Sequence, residues 1–389
     1  MSLNSLFLGL RRHTSSGLYI PELDGLRFVA ILCVFIFHLA GDVVRHNPPG
    51  VPDPDSAFFY LTQQLNIGVP LFFAISGMIL GLPFARYWLL AGPKISLKRY
   101  FLRRVTRLEP PYIAALLLLF VVKLAGHRGT VPEMIPHLGA SVLYLHSLLY
   151  RDMSTINPVA WSLEVEVQFY ILAPVLALVF AVRSAALRRL LICLAIVVAA
   201  ALNPWTDMNV SRGNLATWMA HLSLAGNIQY FLTGFLLADF FLVLPVAKYR
   251  NHRWDIVTLL GWPALIFLLI RYTQIANVAL PAVILLLYVA VFYGTRSSRL
   301  FATLWVASIG GMCYSIYLLH NYAIAVLGFI TERIGQGLPF EARFVIQSLI
   351  MTPAVLALCI VFYRLIEQPC MRPDWPARLR RFALGKLQA

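Results

Sequence analysis

Ten apolar runs, each about as long as a bilayer is thick, constrain this chain more than any other feature. They cover 26–44, 62–82, 109–125, 159–181, 187–203, 222–243, 255–272, 277–294, 303–330 and 342–366. A helix crosses a hydrocarbon core with roughly 20 apolar residues, so the runs predict an all-α polytopic membrane protein with about ten transmembrane helices. The composition agrees. Hydrophobic residues make up 60% of the 389 and charged residues only 13%, with a mean hydropathy of +0.75. A soluble chain carries about a quarter charged residues.

An eleventh apolar piece, 134–150, is short and contains His137, Tyr144 and His146. The distribution of positive charge decides whether it crosses. With that piece left out and the N-terminus inside, 24 of the 32 Lys and Arg residues fall on the inner side and 8 on the outer. Counting it as a span would place Arg183, Arg188 and Arg189 outside, against the positive-inside rule. The expectation is ten spans, both termini cytoplasmic, and 134–150 as an outer-face re-entrant or interfacial helix. Such a piece is tolerated at membrane depth only where protein or water surrounds it. The net charge of +15 then reads as a topology signal with membrane-lipid contacts, not as a nucleic-acid footprint, because the basic residues cluster at the ends of apolar runs.

The expected organisation is a cytoplasmic segment 1–20, a membrane domain 21–370 and a basic cytoplasmic tail 371–389, with neither a cleavable signal peptide nor an appended soluble domain. The odd count of five cysteines shows no pairing framework or metal-ligand spacing, so free buried thiols are expected and no metal site. The sequence does not set the oligomeric state.

Polar residues inside such runs are expensive and therefore informative. His38 lies in the first run, and Arg27 opens it, with Asp24 just before. Eleven helical steps separate Arg27 from His38, about three turns plus ~20°, so both share one face. The alternative for His38 is a bundle-facing ring bonded to a backbone carbonyl. The fourth run holds Ser162, Glu164, Glu166, Gln168 and Tyr170. Ser162, Glu166 and Tyr170 share one face at i, i+4 spacing, and Glu164 and Gln168 share another, so this helix is expected to be central. Counting residues from each membrane edge puts His38 and Glu166 at nearly one depth. A carboxylate beside an imidazole holds its tautomer, as a general base requires, if the two helices touch. Glu164 has no role assigned by this reasoning, and a packing role is the plainer expectation for it.

The loop after the second run carries Lys94, Lys98, Arg99, Arg103, Arg104 and Arg107. It reads either as topology signal and anionic-lipid contact or as a clamp for a phosphorylated substrate such as coenzyme A. His320 lies near the outer end of the ninth run in the segment Tyr314 to Asn321, where an interfacial role is the plain alternative. Ser76 and Gly77 read as a close-packing pair. Glu367 closes the last run and is expected to pair with Arg364 or another basic residue.

Taken together, these residues resemble the bacterial acyltransferase-3 family of membrane O-acyltransferases. The resemblance rests on Arg27 and His38 as an Arg-x10-His pair and on the Trp161–Tyr170 segment, with Glu166 at the family's glutamate. It also rests on Phe72-Phe73-x-x-Ser76-Gly77, the approach through Arg104 and Arg107 to Pro110, Pro111 and Tyr112, Tyr314-Ser315-x-Tyr317-Leu318-x-His320, and the terminal Glu367-x-Pro369. Val167 departs from the pattern, since many members carry a second glutamate there. The resemblance spans about 20–370 and implies an integral protein of the bacterial cytoplasmic membrane. It implies acyl transfer, usually of acetyl, from cytoplasmic acyl-CoA to a hydroxyl on a glycan or lipid-linked sugar at the outer side. Acyl-CoA would be a co-substrate, with no tightly bound cofactor. His38 would be the general base or a transient acyl carrier, and Glu166 would orient His38 or the acceptor. Arg27, Lys98, Arg103, Arg104 and Arg107 would hold the donor. Asn157, Ser162, Gln168, Tyr170, Tyr317 and His320 would line the acceptor side, and Ser76, Gly77 and Glu367 would be structural. Exopolysaccharide, lipopolysaccharide O-antigen and a macrolide-type small molecule stay open as acceptors. A proton-coupled transporter remains the alternative from a different class.

Overall fold

Helices carry almost the whole fold in the computed structural model, which describes residues 7–12, 19–46, 56–202, 215–271, 273–372 and 375. Of the expected basic tail only Met371, Arg372 and Trp375 fall among these. Arg378, Arg380, Arg381 and Lys386 lie outside the described residues, as do 1–6 and 13–18 of the N-terminal segment.

The main helices are α1 (Pro21–Arg45), α2 (Gly68–Leu89), α3 (Leu97–Ala125), α4 (Val131–Val142), α5 (His146–Tyr150), α6 (Trp161–Leu176), α7 (Ala185–Leu202), α8 (Leu224–Val243), α9 (Arg253–Arg271), α10 (Thr273–Tyr293), α11 (Leu304–Gly311), α12 (Cys313–Thr331) and α13 (Phe340–Phe362). Among the described residues, nine helical stretches are long and apolar enough to cross a membrane, and Val278–Tyr293 of α10 is a shorter apolar tenth. The chain is an integral membrane protein. Its five cysteines are free, but only Cys359 is buried as expected: Cys33, Cys313 and Cys370 are half-buried and Cys193 is exposed.

Two glycines set the closest helix contact. A Cβ on Gly77 of α2 would lie 2.1 Å from the Phe231 carbonyl oxygen, and one on Gly234 of α8 would lie 2.2 Å from that of Ala74. Removing both side chains lets the backbones touch, which is how helices gain dispersion contact where lipid is as apolar as leucine. Around this seam Phe231 stacks between Phe73 and Phe169, with ring centroids 4.6 and 4.1 Å away.

The run at 303–330 is two helices, not one. α11 ends where Gly310 presses on the Asp24 carbonyl, a Cβ there lying 1.7 Å from it. α12 restarts at Cys313, and the carboxylate of Glu367 accepts the Ser315 backbone N–H at 3.0 Å and its hydroxyl at 2.5 Å. An anion thereby satisfies donors that a helix start leaves open. Glu367 bonds this helix start rather than Arg364, and the arginines that act on it are Arg107 and Arg12.

These contacts also fix heights. Gly310 meets Asp24 and Gly328 meets Asp42, so α11 and α12 run parallel to α1 and in step with it. Gly68 sits against Ala30 and Val34, so α2 begins about halfway along α1 and runs back toward the end that carries Arg27, Arg86 and Arg99–Arg107, here termed the basic end.

The half opposite the basic end, ahead of α6, is filled by α4, α5 and the turn to Pro158. Ser147 donates its N–H (2.8 Å) and hydroxyl (2.6 Å) to Glu164, Tyr112 donates to the Ser141 carbonyl at 2.9 Å, and the Ser141 and Ser154 hydroxyls lie 2.7 Å apart. The segment at 134–150 is thus two short helices tied to the bundle interior, and Glu164 is its anchor.

Candidate active site

The same re-entrant segment relocates Glu166. Buried Asn157 donates its Nδ2 to the Leu318 carbonyl at 3.1 Å, so the chain enters α6 at mid-height rather than at a membrane face. Glu166 lies more than two turns below that point. The Ser76 hydroxyl donates to it at 2.5 Å, and the Tyr170 hydroxyl bonds it as well. Ser76 is eight residues past Gly68, about 12 Å toward the basic end. Glu166 therefore sits near the level of Arg27. His38 lies eleven residues farther along α1, about 16 Å. The equal-depth expectation does not hold: Glu166 and His38 occupy different levels, and Glu166 does not orient His38. The reason is that counting from a membrane edge assumed α6 starts at the surface.

A cavity of about 670 Å³ opens at the basic end and runs up between α1, α2, α3, α6 and α12. Exposed Lys94, Arg99 and Arg103 line its outer part, and Arg12, Arg27, Arg86, Arg104 and Arg107 line it farther in. Arg27 pairs with buried Asp24 at 2.5 Å, and Arg12 approaches the same carboxylate at 3.5 Å. The Arg104 guanidinium stacks 4.1 Å over the Tyr100 ring and donates to the Tyr100 carbonyl at 3.2 Å. Tyr100 in turn donates its hydroxyl to the Tyr170 carbonyl at 3.2 Å. Seven guanidiniums and the Lys94 ammonium, with three carboxylates among them, Asp24, Glu166 and Glu367, leave a strong excess of positive charge facing the void. Such a surface suits a polyphosphate.

Farther up, the lining becomes apolar and aromatic. Val34, Val69 and Phe72 face it, together with Tyr314, Tyr317 and Ser162. The Ser162 and Tyr317 hydroxyls lie 3.1 Å apart, and Tyr317 donates a short bond to the Val159 carbonyl. One turn past Val34 on α1 is His38; one turn past Tyr317 on α12 is His320. Their rings are 5.0 Å apart between centroids. His320 is fully buried, so it is not an interfacial residue.

Several expected site residues lie elsewhere. Lys98 is exposed and off the cavity, and its neighbour Arg99 faces in instead. Gln168 accepts the Leu224 N–H at 2.9 Å and holds the start of α8. Asn157 serves α6 as described. Ser76 does more than permit close packing, since it bonds Glu166 and lines the cavity. Arg86 and Tyr100 line the cavity without a signal in the sequence pattern, and Tyr314 stands out there only as part of its motif. The signals for Ser76 are a hydroxyl beside a tight-packing glycine in an apolar helix and its place in the Phe72–Gly77 motif.

Comparison with known proteins bears on this arrangement. A family model described as an acyltransferase domain, of the acyltransferase-3 type, matches residues 20–364. The O-acetyltransferase OatA of Staphylococcus aureus is 26% identical over 385 residues, covering 92% of this chain and 58% of that protein. The peptidoglycan O-acetyltransferase OatA of Listeria monocytogenes is 27% identical over 172 residues, covering 42% of this chain and 25% of its own length. The chain thus spans little more than half the length of the first relative. No solved structure matches it.

Proposed function

Since the chain belongs to the acyltransferase-3 family, we propose that it moves an acetyl group from acyl-CoA to a hydroxyl of a glycan or lipid-linked sugar. The observation that carries this reading is the cavity: a funnel of arginines whose apolar upper end stops one helical turn short of two histidines. The phosphates of coenzyme A would lie among Arg99, Arg103, Arg104 and Arg107, with the basic end cytoplasmic, as the positive-inside rule requires. The pantetheine arm would run past Tyr314 and Tyr317, bringing the thioester toward His38. The acceptor would approach from the opposite end. The relative from Listeria, named for peptidoglycan, supports a glycan as the acceptor class.

The chemistry is a direct transfer. His38 takes the proton of the acceptor hydroxyl as its oxygen attacks the thioester carbonyl. The C–S bond breaks, and the leaving thiolate takes up the proton, which restores neutral His38. Glu166 and Ser76 shape the wall against which the donor lies. The test is incubation of membranes containing the full chain with acetyl-CoA radiolabelled in the acetyl group. A covalently labelled glycan or lipid fraction, absent from membranes lacking the chain, is expected. Uptake of solute without any covalent product would replace this reading with a transporter.

A further inference from the structure

His320 is buried among apolar side chains, and only one of its two nitrogens has a partner. Nδ1 lies 2.9 Å from the Ile316 carbonyl and 3.0 Å from that of Tyr317. Both partners are acceptors, so Nδ1 carries the hydrogen. In the neutral ring Nε2 is then an acceptor. That nitrogen is buried without a hydrogen-bond partner. A buried acceptor left unpaired costs about 1–3 kcal/mol, so its retention calls for an explanation. The ring beside it is that of His38, on a neighbouring helix packed in step with α12.

We propose that His320 is the positioning residue for His38. Its locked tautomer presents Nε2 as an acceptor for one N–H of His38. That fixes which His38 nitrogen keeps its lone pair and turns it to the acceptor hydroxyl. When His38 takes the hydroxyl proton, the resulting imidazolium has a free acceptor nitrogen on the ring beside it. This is the task that the sequence pattern assigned to Glu166, which the structure places at the donor cavity. The inference rests on His38 being the base in the proposed transfer.

Two substitutions separate this role from a packing role. His320→Asn keeps a donor near Nδ1 for the two helix carbonyls and removes the Nε2 acceptor. His320→Gln places an amide oxygen near Nε2. Each full-length variant is assayed in membranes for transfer from radiolabelled acetyl-CoA, per amount of folded protein, with His38→Ala alongside. His320→Asn should lower kcat roughly tenfold or more at an unchanged KM for acetyl-CoA, and His320→Gln should recover much of the loss. Wild-type kcat in His320→Asn beside an inactive His38→Ala would overturn the positioning role and leave the transferase reading intact. Wild-type transfer in His38→Ala would remove the base, and this inference with it. Should His320→Asn fail to fold, histidine 15N spectra of the unsubstituted chain, assigned by the His320→Gln difference, decide the matter. A hydrogen on Nδ1 of His320 supports the inference; one on Nε2 overturns it.

Discussion

At the residue scale, adjacent side chains divide cleanly. Arg99 faces the cavity and Lys98 faces away. Arg99→Ala should raise the KM for acetyl-CoA by roughly tenfold, the loss expected of one charged hydrogen bond, while Lys98→Ala leaves it unchanged. Steady-state kinetics on the two variants checks this, and an unchanged KM in both would return the whole loop to a topology role. Ser76 and Glu166 form one unit at 2.5 Å. Ser76→Ala and Glu166→Gln should therefore each weaken donor use, and the double substitution should cost little more than the larger single one. Additive losses would mean the two act separately. Arg27, His38, Glu166 and the arginines after α2 were legible because an ionisable group in or beside an apolar run stands out. The partnership of Glu166 was not legible: it depends on where α6 begins, and no residue within α6 records that height.

Element boundaries follow local chemistry where caps exist and tertiary contacts where they do not. Pro21 opens α1 and Ser96 caps α3, accepting the Arg99 N–H at 3.4 Å, as sequence rules suggest. The break at Met312 is set by Glu367 reaching from the last helix, and the mid-height start of α6 by Asn157 bonding the distant Leu318 carbonyl; helical periodicity carries no trace of either. The tight seam between α2 and α8 was half visible, through Gly77 but not through Gly234. Gly234→Ala should force the helices apart and destabilise the protein by about 1–3 kcal/mol, as overpacking does. A lowered melting temperature in detergent would show it, and an unchanged one would mean the seam has room for a methyl group. Glu164→Gln should loosen the re-entrant segment, read as earlier proteolysis between 125 and 157, with donor KM unchanged because Glu164 is off the cavity.

For the whole molecule, the all-helical membrane class with about ten apolar helices was readable, because hydropathy reports transfer energies directly. What the linear pattern hid is the division of height: an arginine-lined cavity in one half, a re-entrant plug in the other, and two histidines between them. The account predicts that a cysteine at position 94 is shielded from impermeant reagent in intact cells and one at position 128 is labelled. The reverse pattern would put the arginine funnel outside, where no acyl-CoA is found.

The central claim, that donor binding and proton transfer belong to separate stations, is tested most directly by titrating coenzyme A into the purified full chain, His38→Ala and Arg104→Ala. Wild type and His38→Ala should bind with equal affinity, and Arg104→Ala about tenfold or more weaker, with affinity falling as salt rises. Equal binding by all three proteins, or none by the wild type, would contradict the account.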